Sequence, residues 1–501
     1  MRRLFLYILL AAPFVLATPA MQVSDADRWH VHPAGRPLSV LVTADAPLQA
    51  HWLDARGNPL DRPVALPYGA SRLLTAPRQG PGYLQLAIRA DDGPPRLFGF
   101  VLTEAGPAPT TPDPLSPFGR VHAEPADPWL AGWTKTTTWT TFAPQDWDGA
   151  LRALAARGHL ELPLVTGADW DSDDTRPIDR AQLARLQDRF RALLRAHRPP
   201  LTWELGLEEN LEPRFRAPYY WPNLAAKVRA LRAVADAEAP GTRFAYQVAG
   251  LAPGDVQAFL LSPAAPLFDI LSLHPYPWPD FPDPDTWLDD YLRQVRQLLR
   301  WYPRGPQRLW ITELGAPNLG LQPHPTLRTA AGEPAHGLDR SAAADFLVKA
   351  HAIAFRHGVE KLFWYHERDR NGRSSDPEDH FGLRDAAGFP KPAYAALLTL
   401  QRALAGQVFW REGRRGAARW LEFVARDGRR TIIAWAEGER PVTLPSALLL
   451  ADGGDPATAQ LLDAVGTPQP LGATLRLDRH PVFLLTRWGE PAPARRPTPT
   501  P

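Results

Sequence analysis

A chain of 501 residues has room for about two to four domains, which excludes a small cross-linked scaffold. Hydrophobic residues at 45% and charged residues at 22% exclude wholesale disorder and a many-spanning membrane protein. Lys+Arg 56 against Asp+Glu 54 leaves a formal +2 with no clustered basic stripe, which argues against nucleic acid as a partner. The absence of cysteine removes disulfides, thiolate metal sites and a thiol nucleophile together.

In chain order, Arg2 and Arg3 precede an apolar run from Leu4 to Leu16 and the small residues Ala17 and Ala20. This is the build of a secretory signal, so residues 1–20 are expected to be removed on export to the periplasm or outside. No stable membrane span is then left. Residues 24–105 carry short alternating segments, Leu38 to Thr43, Gln49 to Leu53 and Tyr83 to Ile88, divided by Gly, Pro and Asn turns; they predict an N-terminal β-sandwich. Residues 106–117 are rich in Pro and Thr without apolar periodicity and predict a semi-rigid linker.

From 118 to 403 short β-like runs alternate with amphipathic helical patterns. Leu183, Leu186, Phe190, Leu193 and Leu194 keep one helical face, as do Leu288, Leu292, Val295 and Leu299, and Phe346, Ala350, Ile353 and Ala354. Ser341 and Gly358 suit the cap and stop of the last helix. Eight strands are expected, near Phe118 to His122, Gly132 to Thr138, Leu160 to Val165, Leu201 to Glu208, Arg243 to Val248, Phe268 to His274, Arg308 to Glu313 and Lys361 to His366. Eight such units make a (β/α)8 TIM barrel the expected fold. Residues 407–488 return to a two-residue period, with a turn at Asp427-Gly428, and predict a C-terminal β-sandwich; residues 489–501 form a Pro-rich tail unable to bury itself. Both terminal β-domains read as supports for the barrel, with carbohydrate binding as the alternative.

Catalytic groups of such barrels lie at the carboxyl ends of the strands. Glu313 closes an apolar run directly, and a carboxylate placed there is costly unless it has a partner or a task. On strand four, Glu204, Gly206 and Glu208 share a face by alternation, so both glutamates are expected to point into the barrel, the deeper Glu204 as a structural group and Glu208 as a catalyst. If Glu208 and Glu313 stand roughly 5–5.5 Å apart they suit a retaining double displacement. Burial and the neighbouring charge are expected to keep the proton on the donor.

The quoted segments are together similar to a known family. WELGLEEN (Trp203 to Asn210), HPY (His274 to Tyr276), ITELGAP (Ile311 to Pro317) and FWYHERDR with HFGLRDAAGFPKPAY resemble, in order and strand position, the retaining glycoside hydrolases with catalytic glutamates on barrel strands four and seven. The likeness is greatest to glycoside hydrolase family 39 and its exopolysaccharide-cleaving bacterial members. It implies Glu313 as nucleophile, Glu208 as acid/base, a β-linked oligo- or polysaccharide substrate and no cofactor. It also implies Tyr276 beside the nucleophile. Leu207 and Glu209 stand where that pattern carries asparagine and proline, and strand two presents Lys135 in place of an arginine.

The sugar-binding set expected around the two glutamates is Asn210, His122, Trp170, His274, Tyr276, Trp364 and His366. Trp364 is expected to floor the subsite at the cleavage point. Trp170 and the run Tyr219, Tyr220 and Trp221 read equally as stacking surfaces or loop anchors. The three histidines lack ligand spacing, so bonds to substrate or carboxylate are expected of them rather than a metal. The competing readings are a non-catalytic glycan-binding or assembly protein and, more remotely, a metal-dependent barrel hydrolase.

Overall fold

The computed structural model describes residues 21–487 except 26, 91–94, 105, 109–110, 123–126, 138–143, 157–158, 167–169, 197–200, 279, 319–322, 329–333, 372–375 and 452–453. The expected signal segment and Pro-rich tail lie outside the described residues. Among the described residues no helix is long and apolar enough to cross a membrane.

Eight parallel strands close into a barrel: β1 (Phe118–Val121), β2 (Gly132–Thr137), β3 (His159–Val165), β4 (Thr202–Leu205), β5 (Arg243–Ala249), β6 (Ile270–His274), β7 (Arg308–Leu314) and β8 (Lys361–Trp364). Each coincides with an expected segment, because a strand buried on both faces reads as an apolar run cut off by turn residues. Seven helices follow β2 to β8 in turn: α1 (Pro144–Ala155), α2 (Arg180–Ala196), α3 (Tyr220–Glu238), α4 (Pro253–Leu261), α5 (Leu288–Trp301), α6 (Arg340–Arg356) and α7 (Pro392–Ala403). The TIM barrel expected from the sequence is therefore the fold.

The three apolar helix faces lie where the spacing puts them: α2 buries Leu186, Phe190, Leu193 and Leu194, and α5 and α6 bury all of theirs. The cap of α6 differs. Asp339, not Ser341, accepts from the Ser341 and Ala342 backbone N–H groups, both at 2.8 Å, since a carboxylate two residues earlier, at the cap, meets the free donors better than a hydroxyl inside the helix. Gly358, with φ of 69°, ends it as expected.

Inside the barrel, side chains stack by height. Trp133, Leu162, Ala245, Ile270, Trp310 and Phe363 pack at the amino-terminal end. Beneath them Lys361 Nζ donates to the carbonyls of Pro114 and Ser116 at 2.9 and 2.7 Å and lies 4.4 Å from the Trp133 ring. The Pro/Thr-rich segment is thus fastened to the barrel base. Above the apolar layer come Lys135, Glu204, Gln247, Ser272, His274 and Thr312, all buried. This order, apolar below and ionisable above, makes the carboxyl end of the strands the chemical end.

Before the barrel, a three-stranded and a five-stranded sheet face each other across a core that includes Val40, Val42, Trp52, Leu84 and Phe100. After it, a six-stranded and a two-stranded sheet share Trp420, Ile432, Leu444, Leu475 and Leu484. Both units are bonded to the barrel. Tyr83 Oη donates to Pro390 O at 3.1 Å, and Gly99 lets those backbones meet, since a Cβ there would stand 1.9 Å from Pro390 O. Trp435 Nε1 donates to Asp285 Oδ2 at 2.9 Å, and Arg419 pairs with Asp289 at 3.2 Å.

Candidate active site

β4 ends at Leu205, three residues before Glu208. Gly206 turns out of the strand at φ 81°, and Glu208 itself is left-handed at φ 49°. The face shared by Glu204 and Glu208 is therefore not a strand face. Glu204 points into the barrel from β4, whereas Glu208 reaches the mouth from the turn beyond it, fastened by its backbone N–H to Gln247 Oε1 at 2.5 Å. Only a glycine suits position 206: besides the positive φ, a Cβ would stand 2.7 Å from Glu209 Oε2.

Glu313 arrives by another irregularity. Ile311 pairs with Leu362 and Leu314 with Trp364, three residues of β7 against two of β8, which is a β-bulge. Thr312 faces inward and bonds Glu204, so regular alternation would send Glu313 out among the helices. The extra residue turns it back to the mouth, where its side chain is 14% exposed.

Between these carboxylates stands a wired set of groups. Lys135 Nζ lies 2.6 Å from Glu204 Oε2, 2.9 Å from Glu313 Oε1 and 3.1 Å from His274 Nε2. An ammonium only donates, so Nε2 accepts and the imidazole proton sits on Nδ1. That proton is donated to Glu208 Oε1 at 2.8 Å. One oxygen of Glu208, one nitrogen of His274 and one oxygen of Glu313 all lie within 4.8 Å of one another. This is the one group among the described residues with the spacing of a metal site, but an ammonium donates to both Glu313 and His274, supplying the positive charge from the protein itself.

The electrostatics follow from this wiring. Burial lowers the Lys135 ammonium, but the charges of Glu204 and Glu313 outweigh it and hold the group above its ordinary value. Burial raises Glu204, yet Lys135 and His274 hold it below the usual carboxylate range. Glu208 goes the same way: desolvation pushes it up, and the bond and charge of His274, with Lys135 behind, bring it down. The expected proton-retaining donor is thus corrected, because the partner nearest Glu208 is a hydrogen-bond donor rather than a carboxylate.

The expected sugar-binding residues divide. His122 ends β1 exposed, within electrostatic reach of Glu313. His366 is buried with Nε2 unbonded, and burial, reinforced by Arg370 and His122, pushes its pKa down to about 3. Tyr276 Oη is also buried without a partner and lies close enough to Glu313 for that charge to add to the burial that raises it. The other four are corrected. His274 is fully buried and its nitrogens are taken up by Lys135, Glu208 and Gln247, so it positions Glu208 from below. Asn210 spends its amide on the scaffold: Nδ2 donates to Ala249 O and Asp255 Oδ2, and Oδ1 accepts from Ala249 N, each at 2.9 Å.

Trp170 is fully buried and donates to Glu209 Oε1 at 2.9 Å, the anchor reading, as does Tyr220 to Glu209 Oε2 at 2.8 Å. Trp364 points outward from β8, against Phe346 and His351 of α6. Its neighbour Tyr365 takes the inward place, beside Tyr276 and Phe381 at 6.3 and 5.4 Å. Sequence reasoning missed Tyr365, Phe381 and the bonds of Lys135. Counting alternation outward from Phe363, which must fill the barrel, finds Tyr365.

The sequence matches no family profile and no curated protein. Solved structures do match. A family 39 glycoside hydrolase from Bacteroides cellulosilyticus WH2 superposes with a TM-score of 0.66 at 17% identity, over 93% of this chain and 100% of that one. A glucosidase from Croceicoccus marinus reaches 0.45 at 13% identity, over 71% and 90%, and a β-glucuronidase from Bacteroides uniformis 0.41 at 13%, over 93% and 59%. The first likeness is one of fold. It extends over nearly the whole chain, including the sheets on either side of the barrel.

Proposed function

We propose that the protein is an exported glycoside hydrolase of the family 39 type that cleaves a β-glycosidic bond with retention, its barrel flanked by two β-sandwich domains. The observation that carries the reading is that an oxygen of Glu208 and an oxygen of Glu313 come within 4.8 Å of each other at the barrel mouth. Inversion needs roughly 6.5–9.5 Å between carboxyl groups to admit a water, whereas double displacement needs about 5–5.5 Å.

In this reading Glu313, held in place by the Lys135 ammonium at 2.9 Å, attacks the anomeric carbon as the bond to the leaving oxygen breaks. Glu208 gives that oxygen its proton. In the second half Glu208 takes a proton from water, the water oxygen attacks the anomeric carbon, and the Glu313 carboxylate is released. His274 holds Glu208 by one oxygen and leaves the other free for the proton. No cofactor enters.

Trapping with 2-fluoroglycosides and peptide mass spectrometry tests this: a covalent label on Glu313, lost in Glu313→Gln, is expected, and a label elsewhere overturns the assignment. One observation favours a second reading, a glycan-binding protein without turnover: His274 and Lys135 hold Glu208 ionised, which opposes its service as an acid. Sugar binding with no reducing-end release at any pH would select it.

A further inference from the structure

We propose that Trp278 is a stacking platform for a second sugar unit, next to the one whose bond is cleaved. The proposal rests on the glycosidase reading and adds to it a residue that binds substrate.

Trp278 follows β6, the strand that delivers His274, by four residues, and so belongs to the chemical end of the barrel. Its residue surface is 39% exposed. Among the described residues the other exposed tryptophan, Trp301, ends α5 and so lies at the opposite end, since barrel helices run back from the mouth. An indole left in water at the mouth forfeits the burial that tryptophan normally gains.

It is nevertheless held rigidly. Its ring lies 4.8 Å from Phe281 at 75° and 5.8 Å from Phe381 at 55°. Phe281 is itself buried and left-handed at φ 44°, a strained conformation for an aromatic residue, with its N–H closing a turn onto Pro277 O at 3.2 Å. The turn thus seats the Phe281 ring against both Trp278 and Phe381.

The support continues to the nucleophile. Phe381 also meets Tyr276 at 6.0 Å and Tyr365 at 5.4 Å, and Tyr276 lies within electrostatic reach of Glu313. These rings form one cluster beside the mouth, with the Phe381 ring between Tyr276 and Trp278. A pyranose has an apolar C–H face that matches an indole face and a rim of hydroxyls that stays wet, the pairing for which an exposed, preorganised tryptophan is suited. A ring seated there neighbours the ring whose anomeric carbon faces Glu313.

The test compares substrates that differ only in reach. For gluco-, galacto- and xylo-oligosaccharides of two to five β-linked units, Trp278→Ala is expected to lower kcat/KM about tenfold or more on the chains that wild type cleaves, and Trp278→Phe to retain most of it. Inactivation by the matching 2-deoxy-2-fluoroglycosyl fluorides, whose leaving group occupies no ring site, is expected to proceed at the wild-type rate. Equal losses on both, or none on either, overturn the platform. If wild type neither cleaves nor is trapped, the glycosidase reading fails separately. Calorimetric titration of the same oligosaccharides then decides the platform: about tenfold weaker binding by Trp278→Ala sustains it, and unchanged or absent binding overturns it.

Discussion

Glu208 sets the pH behaviour expected of the site. An acid catalyst acts in its protonated form, and its bond to His274 lowers its pKa, so the protonated fraction is lost at lower pH than for an ordinary glutamate. The alkaline limb of kcat/KM is expected within or below the ordinary carboxylate range. His274→Leu should move that limb to higher pH; a limb that does not move assigns it to another group. Lys135→Met would leave Glu204 and Glu313 without their cation, which for a buried pair costs about 3–5 kcal/mol in chemical denaturation. The trapping rate at Glu313 should fall with it. At this scale the sequence was informative about chemistry and poor on direction. Glu313 stands out as a costly carboxylate at a strand end and Lys135 as the residue in place of an arginine, but whether Trp364 or Tyr365 faces the sugar depends on phase within β8.

Irregularities of backbone, not regular elements, deliver both carboxylates. The Gly206 turn is testable: Gly206→Ala meets both a left-handed backbone and the Glu209 carboxylate, so a loss of about 1–2 kcal/mol in stability is expected. Activity should fall further than stability, because Glu208 follows two residues on. Asn210→Ala strands the Ala249 N–H and frees the same turn from β5 and α4, with an expected cost of about 1–3 kcal/mol. Were activity lost with no change in melting, Asn210 would return to the substrate-binding set. The eight strands were legible since each is a short β-prone run, apolar in most and Thr-rich in β2, set between turns or helical patterns. The bulge in β7 was not, because register is a relation between two strands and no single segment records it.

For the whole molecule, acid is expected to loosen the barrel while favouring its chemistry. His351, on the inner face of α6, is buried against Phe118 and Trp364, and desolvation pushes its pKa down to about 4. Between pH 6.5 and 4 the unfolded chain binds a proton there that the folded chain refuses, so stability falls as pH falls through that window, by about 3 kcal/mol when complete. His366, lowered further, adds to it. His351→Leu should flatten the melting temperature against pH over this range; an unchanged slope would place the sensitivity elsewhere. Three units in chain order were evident from the change of period between them. Their attachment was not, because bonds such as Trp435 to Asp285 join residues remote in sequence.

The wiring beneath the mouth has one more outcome. A single ammonium, Lys135, pairs with Glu204 and Glu313 while His274 bonds the third carboxyl group, Glu208, and so the hollow carries excess negative charge when all three are ionised. Whatever gathers positive charge there is favoured over its neutral twin, as field and charge attract in a shielded space. A basic iminosugar should therefore inhibit far better than the lactam of the same shape, and raising salt should do little to separate them.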